Sequence, residues 1–113
     1  MSNKFIVSLP IKEIVHFCRH WQIHELSIFG SALRDDFDAR SDVDILVAFS
    51  ETSEWGLFEH VQMQQELQVF LHRKVDLISK RGLMHSQNQL LREEILKTAQ
   101  VLFTEREAAY VEG

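Results

Sequence analysis

Apolar residues recur along the chain with two different periods, which divide the sequence into predicted helices and strands. Spacings of three and four residues are typical of amphipathic helices, and these are predicted at residues 11–21, 57–71 and 82–98. Runs rich in β-branched and apolar residues predict strands at residues 26–29, 42–49, 74–79 and 101–103. With a short helical turn after residue 31, the predicted order is αβ(α)βαβαβ.

The same patterns predict which side chains face the core. The strand 42–49 is apolar on both faces after its first residues, so we expect it to be central in the sheet. We interpret Cys18 as a buried core residue rather than a reactive thiol. The inward residues of the first helix are predicted to be Ile11, Ile14, Val15, Cys18 and Trp21. Those of the last helix are predicted to be Leu83, Leu90, Leu91 and Ile95.

The length of 113 residues, with 45% hydrophobic content and one proline, favours a single domain over residues 1–113. No apolar run approaches the ~20 residues of a membrane span, and a single cysteine fits a reducing compartment. We therefore expect a soluble, cytoplasmic protein. Residues 105–113 are expected to form a frayed tail, the alternative being that Tyr110 and Val111 dock on a partner.

The formal net charge of −5 argues against direct binding of a long nucleic acid, since that affinity comes mainly from Lys and Arg side chains. A small substrate or a protein partner fits this charge better. The basic residues Arg73, Lys74, Lys80 and Arg81 flank one predicted strand. We interpret them as solvated strand ends, with partner or nucleotide contact as the alternative.

The most informative motif is Gly30-Ser31, followed after ten residues by Asp42-Val43-Asp44. The first pair ends one predicted strand and the aspartates open the next. Gly30 allows the backbone to approach a phosphate closely, because it has no Cβ. Ser31 and the free N–H groups of the following helical turn form an anion site. The motif therefore predicts that a triphosphate binds at this turn.

Asp42 and Asp44 are two residues apart on a strand, so their carboxylates leave the same face. Carboxylates in this arrangement suit hard cations, and two Mg²⁺ ions would clamp an in-line displacement. Asp76 is the candidate third carboxylate, since it is the only acid in its predicted strand. The three converge if that strand pairs beside Asp42 and Asp44. The alternative interpretation is structural, because aspartates before strands and Gly-Ser turns are both common.

The histidines offer a competing metal site. His16, His20 and His24 recur every four residues, and such a spacing on a helix can bind zinc. No further ligand at matching spacing completes a set, so we interpret them as surface or partly buried residues. The remaining histidines, His60, His72 and His85, show no pattern.

Two segments carry a resemblance to a known family. FGSALRDDF at 29–37 and SDVDILV at 41–47 resemble the signature of polymerase-β-like nucleotidyltransferases, and specifically the minimal (MNT) members. The resemblance covers nearly the whole chain and implies an α/β (α+β) fold with a mixed sheet flanked by helices. It implies that ATP binds at Gly30, Ser31 and Arg34, and that Asp42, Asp44 and Asp76 hold two Mg²⁺ ions and form the catalytic set.

Small members of that family imply a partner and a reaction. Many are antitoxins paired with a helical HEPN ribonuclease, and some transfer AMP from ATP to a tyrosine of that toxin. We therefore expect a protein adenylyltransferase that forms a hetero-oligomer with a HEPN toxin. The alternatives are a non-catalytic module that silences the toxin by binding, a small-molecule nucleotidyltransferase and a nucleotide sensor. The chain departs from the family pattern at two positions. Ala32 stands where relatives often have a basic residue, and Asp35 stands where they often have glycine. These departures concern the affinity for phosphate and leave the metal ligands unchanged.

Overall fold

The computed structural model describes residues 9–30, 42–50 and 55–105, and these contain four helices and four strands. The helices are α1 (Ile11–His20), α2 (Leu57–Leu71), α3 (Lys80–Met84) and α4 (Gln89–Thr98). The strands are β1 (Ile23–Phe29), β2 (Val43–Phe49), β3 (Val75–Ser79) and β4 (Gln100–Thr104). Along the described residues the predicted order of helices and strands is confirmed, except that two helices rather than one lie between β3 and β4. The predicted helical turn at residues 32–34 and the polar segment after it lie outside them.

The four strands form one mixed sheet in the order β3-β2-β1-β4. β1 pairs antiparallel with both β2 and β4, whereas β2 and β3 are parallel. The parallel pair needs a crossover connection, which α2 provides. β2 therefore lies between two strands, and its predicted central position and the predicted mixed sheet are both confirmed.

Helices cover both faces of the sheet. Every second residue of a strand points to the same face, so each face collects its own apolar cluster. On one face, α1 and α2 pack against the strands through Ile14, Phe17, Cys18, Met63 and Leu67. On the other face, α3 and α4 contribute Leu83 and Ile95 to a smaller cluster. Cys18 is fully buried in the first cluster, as predicted, and burial raises the pKa of its thiol.

The prediction of one helix over residues 82–98 is wrong, because the structure has two helices there, α3 and α4. Asn88 caps α4, since its side chain accepts a hydrogen bond from Leu91 N–H at 3.0 Å, and this cap starts a new helix. The break changes which side chains face inward. Leu83 and Ile95 are buried as predicted, whereas Leu90 and Leu91 are 80% and 48% exposed.

The first helix and strand differ from prediction mainly at their ends. α1 ends at His20, and Trp21 lies just beyond it with its indole buried in the core. β1 begins at Ile23 rather than residue 26, since the segment 23–25 pairs with β2 around an irregularity in the register. Every helix in the described part of the chain is too short or too polar to cross a membrane.

Candidate active site

The candidate site lies where β1 ends and β2 begins. Phe29, the last residue of β1, is paired with Asp44 on β2. Because the two strands are antiparallel, Gly30 leaves β1 beside Val43, the first residue of β2. Asp42, predicted to lie in this strand, directly precedes it. The sheet therefore joins the two halves of the sequence motif, which are separated by ten residues along the chain.

Gly30 fits this position for two reasons. Its φ angle is +68°, in the left-handed region that favours glycine. A Cβ atom built on Gly30 would lie 3.2 Å from the carboxyl carbon of Asp44 and closer still to one of its oxygens. The carboxylate of Asp44 therefore occupies the space that any other residue at position 30 would need. Glycine thus shapes the carboxylate site as well as the turn.

Asp76 is directly opposite Asp44, on the neighbouring strand. The parallel register pairs Val43 with Val75 and Asp44 with Asp76, and paired residues of adjacent strands are separated by about 4.8 Å. Their side chains leave the same face of the sheet, which is the face covered by α3 and α4. Asp44 is half-buried, whereas Asp42 and Asp76 are exposed.

An in-register pair of carboxylates is unfavourable by itself, since like charges directly opposite each other destabilise a sheet. A bound cation would remove that cost, and carboxylate oxygens are the ligands that Mg²⁺ prefers. The chemistry of these donors therefore fits a divalent ion. The described residues nevertheless include no group of three His, Cys, Asp or Glu side chains placed to hold a metal. The structure thus brings the strands together, and the role of Asp42, Asp44 and Asp76 as a ligand set stays a prediction.

Two of the predicted nucleotide-binding residues, Ser31 and Arg34, lie outside the described residues. The same is true of Ala32 and Asp35, the two departures from the family pattern. Of the predicted phosphate turn, the structure describes Gly30, which is exposed. The assignment of Ser31 and Arg34 to the triphosphate therefore also stays a prediction.

The histidine row does not form a helical metal site. His16 and His20 are exposed on α1, but His24 lies on β1, so the helical spacing ends before it. His24 contacts Glu105 at 3.0 Å between Nδ1 and a carboxylate oxygen, and the ring of His20 packs edge-on against Trp21. The interpretation of these histidines as surface residues agrees with their exposure.

Sequence reasoning missed the contact that His60 makes. His60 lies on α2, and its Nε2 is 2.8 Å from the carbonyl oxygen of Leu77 on β3. A carbonyl oxygen only accepts, so the ring nitrogen donates. The contact ties α2 to the strand that carries Asp76. Its partner is a backbone atom, so no pairing of side-chain types along the sequence marks it.

Comparison with known proteins identifies the family. The family model described as polymerase beta, nucleotidyltransferase matches residues 12–108. Fold, site and family match together define the class of protein: the chain belongs to the polymerase β nucleotidyltransferase family. It is 34% identical over 88 residues to MJ1215 of Methanocaldococcus jannaschii, a match covering 74% of this chain and 100% of that relative.

Another relative has a named activity. The chain is 36% identical over 61 residues to the protein adenylyltransferase MntA of Thermococcus cleftensis, a match covering 54% of this chain and 60% of MntA. The chain thus spans less than two thirds of two curated relatives, 63% of MJ1379 of Methanocaldococcus jannaschii and 60% of MntA.

Solved structures share the fold. A crystal structure of a toxin–antitoxin complex with AMP-PNP matches with a TM-score of 0.67 and 21% identity, covering 88% of this chain and 78% of the other. A second match is the tri-AMPylated Shewanella oneidensis HEPN toxin in complex with MNT antitoxin, with a TM-score of 0.62, 22% identity and coverage of 88% and 74%. At these identities the matches show a common fold.

Proposed function

We propose that this chain transfers AMP from ATP to a tyrosine hydroxyl of a helical HEPN ribonuclease. The two proteins would form a complex. The observation that carries this proposal is the in-register pair of Asp44 and Asp76 beside Gly30. The relative named protein adenylyltransferase MntA supports the reaction. The AMPylated HEPN toxin bound to MNT antitoxin supports the partner and the modification.

In the proposed reaction, the acceptor oxygen attacks the α-phosphorus of ATP. The bond between that phosphorus and the oxygen bridging to the β-phosphate breaks, and pyrophosphate leaves. Asp76 accepts the proton of the hydroxyl, while the turn at Gly30 and Ser31, with Arg34, binds the triphosphate. Asp42, Asp44 and Asp76 would hold Mg²⁺, which when bound neutralises phosphate charge and polarises the reacting oxygens.

The test uses labelled ATP, MgCl₂ and the helical protein encoded beside this chain, provided that it carries an Arg-(x4–6)-His motif. We expect label on that protein, and a fall in labelling by a factor of about 10²–10³ in the Asp42→Asn and Asp44→Asn variants. Glu13→Gln, which changes an exposed acid on α1, is the matched control and should label normally. Absence of label with the unaltered chain would contradict the proposal.

A second function is favoured by one surface of α2. Leu57, Phe58 and Val61 are 80%, 79% and 46% exposed, and their spacing makes them neighbours on the first two turns of the helix. An exposed apolar group of this kind is typical of protein interaction sites. The chain could thus silence its partner by binding alone. Assaying the ribonuclease with the Asp44→Asn variant separates the two functions. Full silencing by this variant would show that binding suffices.

A further inference from the structure

Three polar residues lie four positions apart on one face of α2. These are His60, Gln64 and Gln68, which we call the α2 ladder. Residues at this spacing are neighbours along a helix surface. All three side chains are partly buried, and each reaches the backbone of β3.

The α2 ladder contacts three outward-facing backbone groups of β3. Gln68 Oε1 accepts from Val75 N–H at 3.0 Å, and Gln64 Oε1 accepts from Leu77 N–H at 3.3 Å. His60 Nε2–H donates to the carbonyl oxygen of the same leucine at 2.8 Å. The helix therefore supplies both acceptors and a donor to a single strand.

These backbone groups lie on the side of β3 that faces away from β2. Among the described strands β3 is the last of the sheet on its side, and Val43 N–H donates to Lys74 C=O at 2.9 Å between β2 and β3. Backbone direction alternates along a strand, so Val75 and Leu77 present their N–H groups to the outer edge. Such an edge normally pairs with water or another strand. Here side chains of α2 occupy the place of a fifth strand.

Asp76 lies between the two residues that the α2 ladder holds. Its side chain is exposed, and the backbone that carries it sets the position of its Cα–Cβ bond and the face of the sheet from which the carboxylate leaves. That backbone is bonded to β2 on the inner side and flanked by ladder contacts on the outer side. Both sides of the strand are thus held at the residue opposite Asp44.

We propose that His60, Gln64 and Gln68 are positioning residues that hold the β3 backbone so that Asp76 faces Asp44. The catalytic part of this inference rests on the proposed function, because it assigns Asp76 the acceptor proton. The α2 ladder acts through the backbone and touches no substrate. It should therefore affect the rate of transfer and leave ATP binding at the Gly30 turn unchanged.

The test compares Gln64→Leu and Gln68→Leu with Gln65→Leu, a control of the same residue type on the exposed face of α2. Hydrogen exchange of the Val75 and Leu77 amides is measured on the chain alone. Each ladder variant should speed exchange of its own amide roughly tenfold, the size expected for one lost hydrogen bond. Gln68→Glu keeps an acceptor oxygen and should restore protection of Val75.

Transfer kinetics provide the second readout. We expect kcat to fall roughly tenfold in Gln64→Leu and Gln68→Leu, with KM for ATP unchanged and both constants normal in Gln65→Leu. Both constants are calculated per folded chain, at a temperature below the onset of unfolding, because loss of folded protein would also lower kcat without changing KM. A third readout needs no turnover. Mn²⁺ is added with a non-hydrolysable ATP analogue, and the paramagnetic broadening of the Asp44 and Asp76 amide NMR signals is measured. Broadening at Asp76 should weaken in the ladder variants and persist at Asp44.

The outcomes separate this inference from the proposed function. Unprotected Val75 and Leu77 amides in the unaltered chain would refute the α2 ladder. Lost protection with normal kcat and normal broadening would refute its positioning role. If the unaltered chain transfers no AMP, the proposed function fails, and the exchange and broadening patterns still decide whether the α2 ladder holds Asp76 in place.

Discussion

Replacing Gly30 by alanine tests the close approach of the turn to Asp44. A non-glycine residue in the left-handed region costs about 1–2 kcal/mol. The added Cβ would also overlap a carboxylate oxygen of Asp44 and push that side chain away from its preferred rotamer, at about 0.5–1.5 kcal/mol. We therefore expect Gly30→Ala to lower the free energy of unfolding by roughly 2–3 kcal/mol. At about 4 °C per kcal/mol, the melting temperature should fall by roughly 8–12 °C.

The two contributions can be separated by a double-mutant cycle with Asp44→Ala. The Cβ of residue 44 would lie 3.5 Å from the new methyl group, which is an ordinary contact, so the overlap disappears and the backbone strain remains. Gly30→Ala should therefore cost only about 1–2 kcal/mol in that background. The assay is urea unfolding followed by circular dichroism, which gives the free energy for all four proteins.

A matched control is Gly56→Ala. Gly56 has a φ of −98° at the start of α2, where alanine is allowed, and a Cβ there would meet the flexible end of Glu59 at 3.2 Å. Its cost should remain below about 1 kcal/mol. Additivity of Gly30→Ala and Asp44→Ala within about 0.5 kcal/mol would refute the idea that the carboxylate requires glycine. Coupling of about 0.5–1.5 kcal/mol would support it.

Two further changes have outcomes that follow from hydrogen bonds in the structure. Asn88→Ala removes the side-chain cap of α4 and should lower the free energy of unfolding by about 1 kcal/mol in urea melts; no change would mean that the cap does not start this helix. A hydrogen bond from Ser50 lowers the pKa of Glu105, and a hydrogen bond from His24 lowers it further. The Glu105 carboxylate therefore stabilises the fold above its unfolded-state pKa, and this contribution is lost as the pH falls through the lowered pKa of the folded state. Ser50→Ala should raise the Glu105 pKa measured by NMR titration, and an unchanged pKa would refute the contact.

The sequence predicted the part of the fold that depends on local pattern. The apolar run after Asp44 indicates a strand whatever its neighbours are, and Ile14 and Cys18 mark the buried face of α1 by spacing alone. The positions of Gly30 at the end of one strand and of the aspartates at the start of the next follow in the same way. These inferences need only side-chain period and order along the chain.

Other features depend on contacts that no local pattern contains. Leu90 and Leu91 continue the spacing that begins at Leu83, so periodicity joined two helices into one. Asn88 was the available signal, since asparagine favours a helix start, and it marks the break. Likewise, the pairing of Asp76 with Asp44 requires the register between two strands, which the sequence pattern left conditional.

The crossover between β2 and β3 affects when the carboxylate pair can form. Asp44 and Asp76 are neighbours in space, yet α2 separates them along the chain, so a long loop must close before they meet. We expect contacts with a short sequence separation to form earlier in folding. A nascent polypeptide that ends before β3 would contain Gly30 and Asp44 but not Asp76. The order of synthesis would therefore delay assembly of the acidic pair until the parallel strand has been made.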